Sequence, residues 1–168
     1  MRRLSYTPRV SKPQAPTPYR ADKLDVRQFA RDQATLQGQN SLNDFERLRE
    51  EVFGLDDAAI AALQVTWQAE GIWKALRGGA AETRLHLQAR LELPLQCQRC
   101  LSAVQECLEV DREFLFVSTE AQAEELDESS EVDVLVASKA FDLLELVEDE
   151  LLMALPLVPR HPECDLPG

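Results

Sequence analysis

Residues 82–97 read ETRLHLQARLELPLQC, the strongest alternation of apolar and polar side chains in the sequence. In an extended chain successive side chains point to opposite faces. Leu85, Leu87, Ala89, Leu91 and Leu93 therefore share one side, and Arg84, His86, Gln88, Arg90 and Glu92 share the other. Such a segment is a strand with one wet face and one face that must be buried. It requires partner strands at its edges and a cover over its leucines.

Neighbouring segments supply both. In AALQVTWQAEG (61–71), Leu63, Val65 and Trp67 alternate with polar residues. GIWKALRGG (71–79) reads as a second, less regular strand closed by a Gly78-Gly79 turn, and VQECLEVDREFLFV (104–117) as a further strand or pair of strands. VDVLVAS (132–138) offers a last one. Short connections between consecutive strands favour antiparallel pairing.

Upstream the period is helical. DKLDVRQFARDQATLQG (22–38) is read as a helix stopping at Gly38. NSLNDFERLREEVFG (40–54) is read as another, capped by Ser41 or Asn43 and ended by Gly54. FDLLELVEDELLMALPLVP (141–159) is an amphipathic helix, with Asp142 and Glu145 approximating a capping box. Leu143, Leu144, Val147, Leu151 and Leu155 form its apolar stripe, Glu145, Glu148, Asp149 and Glu150 its wet face, and Pro156 and Pro159 its stop. Burying five such side chains contributes on the order of 10 kcal/mol before entropy is counted. STEAQAEELDESSEVD (118–133) is a charged loop without the carboxylate spacing of a calcium loop.

The expected fold class is therefore α+β: an antiparallel β-sheet or partly open barrel, with two short N-terminal helices and one C-terminal amphipathic helix packed on it. Residues 1–21 are expected to form a disordered, basic, Pro-rich arm, residues 22–160 a single α+β domain, and residues 161–168 a tail that a Cys97/Cys100 knuckle would tie down. A length of 168 residues suits one domain. No apolar run approaches the ~20 residues of a membrane span. The N-terminus lacks the apolar stretch of a secretory signal, so a cytoplasmic protein with reduced or metal-bound cysteines is expected.

Charge is unevenly placed. The formal net charge is -12, yet residues 1–20 hold Arg2, Arg3, Arg9, Lys12 and Arg20 and no acid. The other 148 residues hold 13 Lys/Arg and 30 Asp/Glu. An acidic body repels phosphate at long range and attracts basic partners. The arm is either a solvated leader or a set of phosphate contacts.

The strand at 82–97 runs into Cys97-Gln98-Arg99-Cys100. The C-x₂-C spacing lets two thiolates clasp one tetrahedral ion from a single turn. Two further ligands must come from Cys107, Cys164, His86 and His161; His161-Pro162-Glu163-Cys164 would complete a Cys₃His zinc site. Two reduced core thiols are the plain alternative. A redox pair fits poorly amid antiparallel strands. Cys107 and His86 suit ordinary strand positions. No P-loop, dinucleotide fingerprint, H-E-x-x-H or serine elbow is present, and no enzyme is expected.

LELPLQCQRCL, followed by LVEDELLMALPLVPRH, resembles the YceD family, the large ribosomal RNA subunit accumulation proteins. The similarity extends over roughly residues 22–165. It implies a role in accumulation of large-subunit ribosomal RNA. It marks Cys97, Arg99 and Cys100, then Glu148, Asp149, Glu150, Leu155, Pro156, Pro159 and His161 as motif residues. Several relatives end in another C-x₂-C-type pair, where this chain has only His161 and Cys164. Two functional expectations follow. In the first, Glu148, Asp149 and Glu150 dock a basic ribosomal protein or an rRNA precursor complex. In the second, Arg99, a zinc-knuckle turn and the basic arm bind RNA.

Overall fold

The computed structural model describes residues 18–167. The arm expected over residues 1–21 lies outside the described residues as far as residue 17. Five strands form one open sheet in chain order: β1 (Thr35–Ser41), β2 (Gln64–Ala75), β3 (Ala81–Gln96), β4 (Ala103–Val117) and β5 (Asp133–Val136). The fold is α+β, as expected, and the sheet does not close into a barrel.

β1 to β4 pair antiparallel, and β3 carries the pattern read from it. Leu85, Leu87, Ala89, Leu91 and Leu93 are all buried. On the opposite face Arg84 sits between Glu82 and Glu113, and Arg90 between Glu92 and Glu109. His86 bonds Asp111, whose carboxyl it holds below its usual range. Residues 64–75 form one strand rather than the two expected, because the reversal waits for Gly78 and Gly79, both at positive φ.

The sheet is mixed, a correction to the all-antiparallel expectation. β5 pairs parallel with β4, from Phe114↔Asp133 to Val117↔Val136. A parallel neighbour needs a crossover of a dozen residues or more. The stretch read as a charged loop provides it through a helix, α4 (Glu120–Asp127), capped by the Thr119 hydroxyl. α4 buries no residue, so it carries no apolar stripe to announce it.

The N-terminal helices are shorter than expected and are interrupted by a strand. α1 (Val26–Arg31) begins at the Asp25 cap and ends before Gln33, which has a positive φ of 46°. The chain then becomes β1. Gly38 does not stop a helix: it lies opposite Trp67, and a Cβ there would stand 2.5 Å from the indole ring. The indole N–H donates to Asn40 Oδ1 at 2.9 Å, so one aromatic side chain both excludes a larger residue and fastens a polar edge strand. Ser41 caps a 3₁₀ turn over Leu42–Asp44. α2 (Glu46–Glu50) follows, ending before Gly54, and α3 (Asp57–Ala62) is an additional turn of helix.

α5 (Leu143–Met153) closes the core, with Asp142 accepting from the Glu145 N–H at 3.0 Å. Its buried side chains are Leu143, Leu146, Val147, Glu150 and Leu151. The helix ends well short of residue 159. Pro156 disfavours helical backbone at Leu155, so Leu155, expected in the helical stripe, lies beyond the helix and packs half-buried against the core.

α1 packs so closely on β2 that a Cβ on Gly71 would meet Phe29 O at 2.5 Å and Ala30 Cα at 2.8 Å. These are backbone atoms and cannot swing aside. Gly71→Ala is expected to cost about 1–3 kcal/mol, the usual range for overpacking, measured as a lower urea midpoint. An unchanged midpoint would show that α1 can lift off the sheet freely.

Candidate metal centre

The β3–β4 hairpin ends in a tight reversal over residues 97–102. The Cys97 N–H donates to Ser102 O at 2.8 Å, and the Leu101 N–H returns to Cys97 O at 2.9 Å. Leu101 takes a φ of 65°, a left-handed conformation uncommon outside glycine. That residue lets the chain reverse into β4, and within the same turn Cys97 and Cys100 converge.

The C-terminal tail comes to that point. After Pro156 it bends past the hairpin, where the Gln98 N–H donates to Pro159 O at 2.8 Å. His161 Nε2 lies 3.0 Å from Ala103 O, and Nδ1 lies 3.3 Å from Cys100 Sγ. Cys164 Sγ is 3.8 Å from Cys97 Sγ. The ligand atoms of Cys97, Cys100, His161 and Cys164 all lie within 4.8 Å of one another.

These separations suit one tetrahedral ion. Zn–S bonds near 2.3 Å and Zn–N bonds near 2.0–2.1 Å place ligand atoms about 3.5–3.8 Å apart. The set is therefore a Cys₃His cluster that can hold a metal ion. The Ala103 carbonyl takes the Nε2 proton, which leaves Nδ1 free as a donor to metal; this is the second-sphere support common for ligating histidines.

The protonation landscape agrees. Burial opposes ionisation of the Cys97 thiol most strongly, but the backbone N–H groups of Cys100, His161 and Arg99 together outweigh it, helped by the His161 ring. The thiol is thereby lowered to about 5. Cys100 is also lowered, chiefly by the Ser102 hydroxyl and N–H. His161 is raised, first by its bond to Cys97. Cys164 is pushed up to about 11 by burial and then by the two neighbouring sulfurs. A thiol already lowered beside one held back first by burial and then by the neighbouring sulfurs is an arrangement that a divalent cation relieves, since binding takes the thiolate form. Cys107 stands exposed on β4 and His86 on the wet face of β3, both outside the cluster.

The α5 carboxylates are placed differently from the wet face expected of them. Glu150 is only 6% exposed and bonds the Arg112 guanidinium at 3.0 Å, and Arg112 also grips Asp133 on β5. Glu148 accepts from the backbone N–H groups of Arg47 and Leu48 at 2.8 and 3.2 Å and pairs with the Arg47 guanidinium. It thus serves as the N-terminal cap that Phe45 cannot give α2. Asp149 joins Arg47 at 2.7 Å and stays half-exposed. Arg99 is exposed at the tip of the hairpin turn. Arg47 and Arg112 escaped sequence reading because 101 and 38 residues separate them from their carboxylates.

A mixed one-faced sheet, backed by a C-terminal helix and closed by a cysteine–histidine clasp, defines the class of this domain. Residues 85–168 match the family described as Large ribosomal RNA subunit accumulation protein YceD. That match spans half of the chain and includes every cluster residue, and the chain belongs to this family. The protein of Haemophilus influenzae (strain ATCC 51907 / DSM 11121 / KW20 / Rd) named Large ribosomal RNA subunit accumulation protein YceD is 36% identical over 74 residues. That alignment covers 44% of this chain and 42% of the relative, so less than half of the relative's length is matched. No solved structure matches. Among the described residues, no helix is long and apolar enough to cross a membrane.

The Arg112–Glu150 contact generates a stability prediction. Burial raises the Glu150 carboxyl above its usual range, and Arg112 opposes that rise. Arg112→Ala removes the opposition, so the folded state holds a proton that the unfolded chain has already lost. Stability of the variant then falls as pH rises above the ordinary glutamate range and recovers on acidification. At neutral pH the loss is expected to be about 2–3 kcal/mol, below that of a fully buried pair because the Arg112 side chain is 39% exposed. Urea melts of both proteins at several pH values give the answer, and a deficit independent of pH would contradict the assignment.

Proposed function

We propose that this protein is a non-enzymatic, cytoplasmic factor in large-subunit ribosomal RNA accumulation that docks a basic ribosomal protein. The observation that carries the reading is the acid surplus, 30 Asp/Glu against 13 Lys/Arg over residues 21–168, in a chain of this family. On the wet face of the sheet the bases Arg84 and Arg90 are already held by carboxylates. A surface of this sign attracts ribosomal proteins rich in Lys/Arg and repels bare phosphate. Of the acids expected to contact the partner, Asp149 keeps half its surface in water, while Glu148 and Glu150 act through the shape they give α2 and α5.

In this reading the Cys97, Cys100, His161 and Cys164 cluster holds zinc as a structural ion that fixes the tail against the β3–β4 turn. A closed set of four protein ligands leaves no open position for a reacting water, which favours a structural ion over a catalytic one. The second reading, an RNA-binding module, draws on exposed Arg99 together with Arg2, Arg3, Arg9 and Lys12.

Retention of purified ribosomal proteins and of large-subunit rRNA by the full chain across a salt series separates the two readings. Ribosomal proteins are expected to be retained, with RNA binding weak throughout. Tight RNA binding with a steep salt dependence that Arg99→Glu abolishes would instead establish the RNA module.

The zinc assignment has its own measurement. Elemental analysis of untagged protein is expected to find about one zinc per chain, falling below about a tenth in Cys97→Ser, since a tetrahedral site loses most of its affinity with one thiolate. Acidification should release the ion, because protons compete for the same thiolates. Full occupancy in Cys97→Ser would place the metal elsewhere.

A further inference from the structure

The segment leaving α5 is unlike the rest of the surface. Leu157 is 101% exposed, Met153 64%, Val158 52% and Leu101, on the adjoining hairpin turn, 50%. Single exposed apolar residues are ordinary, but Met153 and Leu157 line one groove, and exposed apolar side chains grouped in a small acidic domain mark a contact surface. The exposed leucine does not result from fraying. Pro156 and Pro159 stiffen the segment, and the Gln98 N–H holds Pro159 O at 2.8 Å.

Beside it lies a groove of about 630 Å³ between the end of α2, the end of α5 and the hairpin turn. Phe53, Leu95, Leu152, Met153, Leu155 and Leu157 supply its apolar part, with Gln96 and Gln98 between them and the turn. Glu50 and Glu51 form its rim on the α2 side, both exposed and neither paired with a base among the described residues. No Lys or Arg lines it; Arg99 and Arg160 stand next to lining residues at the hairpin end.

We propose that this groove is where the basic ribosomal protein of the preceding section docks, through an amphipathic segment whose apolar side chains enter the groove while its Lys/Arg meet Glu50 and Glu51. The inference rests on that functional reading and gives it a location. Charge complementarity selects the occupant. A groove with carboxylates on its rim, in a chain of net charge -12, favours a basic segment. A second copy of this chain would bring acid against acid, and RNA would bring phosphate to the same carboxylates. A groove with apolar side chains beside charge also matches the way amphipathic helices are held, by a few apolar anchors with charges at the edge.

The test uses the full chain, its Leu157→Asp variant and two fluorescein-labelled synthetic peptides of equal positive charge. One is a leucine–lysine amphipathic helix; in the other, serine replaces leucine. Leu157 makes no core contact, so the variant is expected to melt like the parent. An added carboxylate would strengthen binding driven by charge alone and weaken binding through apolar anchors, so the two mechanisms give opposite signs. The leucine–lysine peptide is expected to bind the parent about tenfold or more tightly than the variant, the equivalent of losing one buried leucine. It should exceed the serine peptide by a similar factor. Equal or tighter binding to Leu157→Asp would overturn the groove as a docking site.

Protein stripped from purified large ribosomal subunits, passed over both forms, keeps the two claims apart. Retention by the parent alone supports both. Equal retention by both forms overturns the groove and leaves the functional reading standing, whereas no retention by either removes the functional reading and the groove together. A parent that sediments as a dimer while Leu157→Asp is monomeric would assign the groove to self-association, and loss of rRNA binding alone in the variant would assign it to RNA; either result overturns the proposal.

Discussion

The structure depends on the two-sided character of β3. Its leucines cannot remain in water and its charged residues cannot leave it, so the strand admits one orientation in the sheet. β2 and β4 extend the same division across their pairs. On the dry side α1 and α5 supply the cover; on the wet side acids and bases alternate in cross-strand pairs of modest individual strength. The hairpin that continues β3 into β4 then delivers two cysteines at its tip. The Cys₃His cluster is in this sense a consequence of strand register: a slip of one residue would turn Cys97 from the core to solvent.

Legibility followed locality. β3, β4 and α5 declared themselves because their periodicity is internal to each segment. The Asp142 cap was visible for the same reason, lying three residues from the N–H it receives. β1 was hidden because its sequence, TLQGQNS, is polar and owes its strand geometry to Trp67, a residue far along the chain. α4 was hidden because it buries nothing. The parallel pairing of β5 is set by that helix and so was equally out of reach. The four cluster residues were legible as residue types at suggestive spacings, but only the path after Pro156 shows that the tail reaches the hairpin.

The acids of α5 show how composition can mislead. Glu148, Asp149 and Glu150 read as a solvated face because three adjacent carboxylates are rarely anything else. Two arginines from distant segments alter the outcome. Glu148 takes over the duty of a missing helix cap, and Glu150 anchors the Arg112 bridge to the edge of β5. The motif that resembles the family is therefore partly architectural.

Cys97 and Cys164 stand 67 positions apart in sequence, and β4, α4, β5 and α5 all lie between them. A bond across that pair, through an ion or otherwise, converts almost the entire C-terminal half of the molecule into a closed ring. By the entropy argument applied to covalent cross-links, a ring of that size removes on the order of 4 kcal/mol of freedom from the unfolded chain. Where an ion closes that ring, a chelator that removes it would loosen four elements at once rather than one turn.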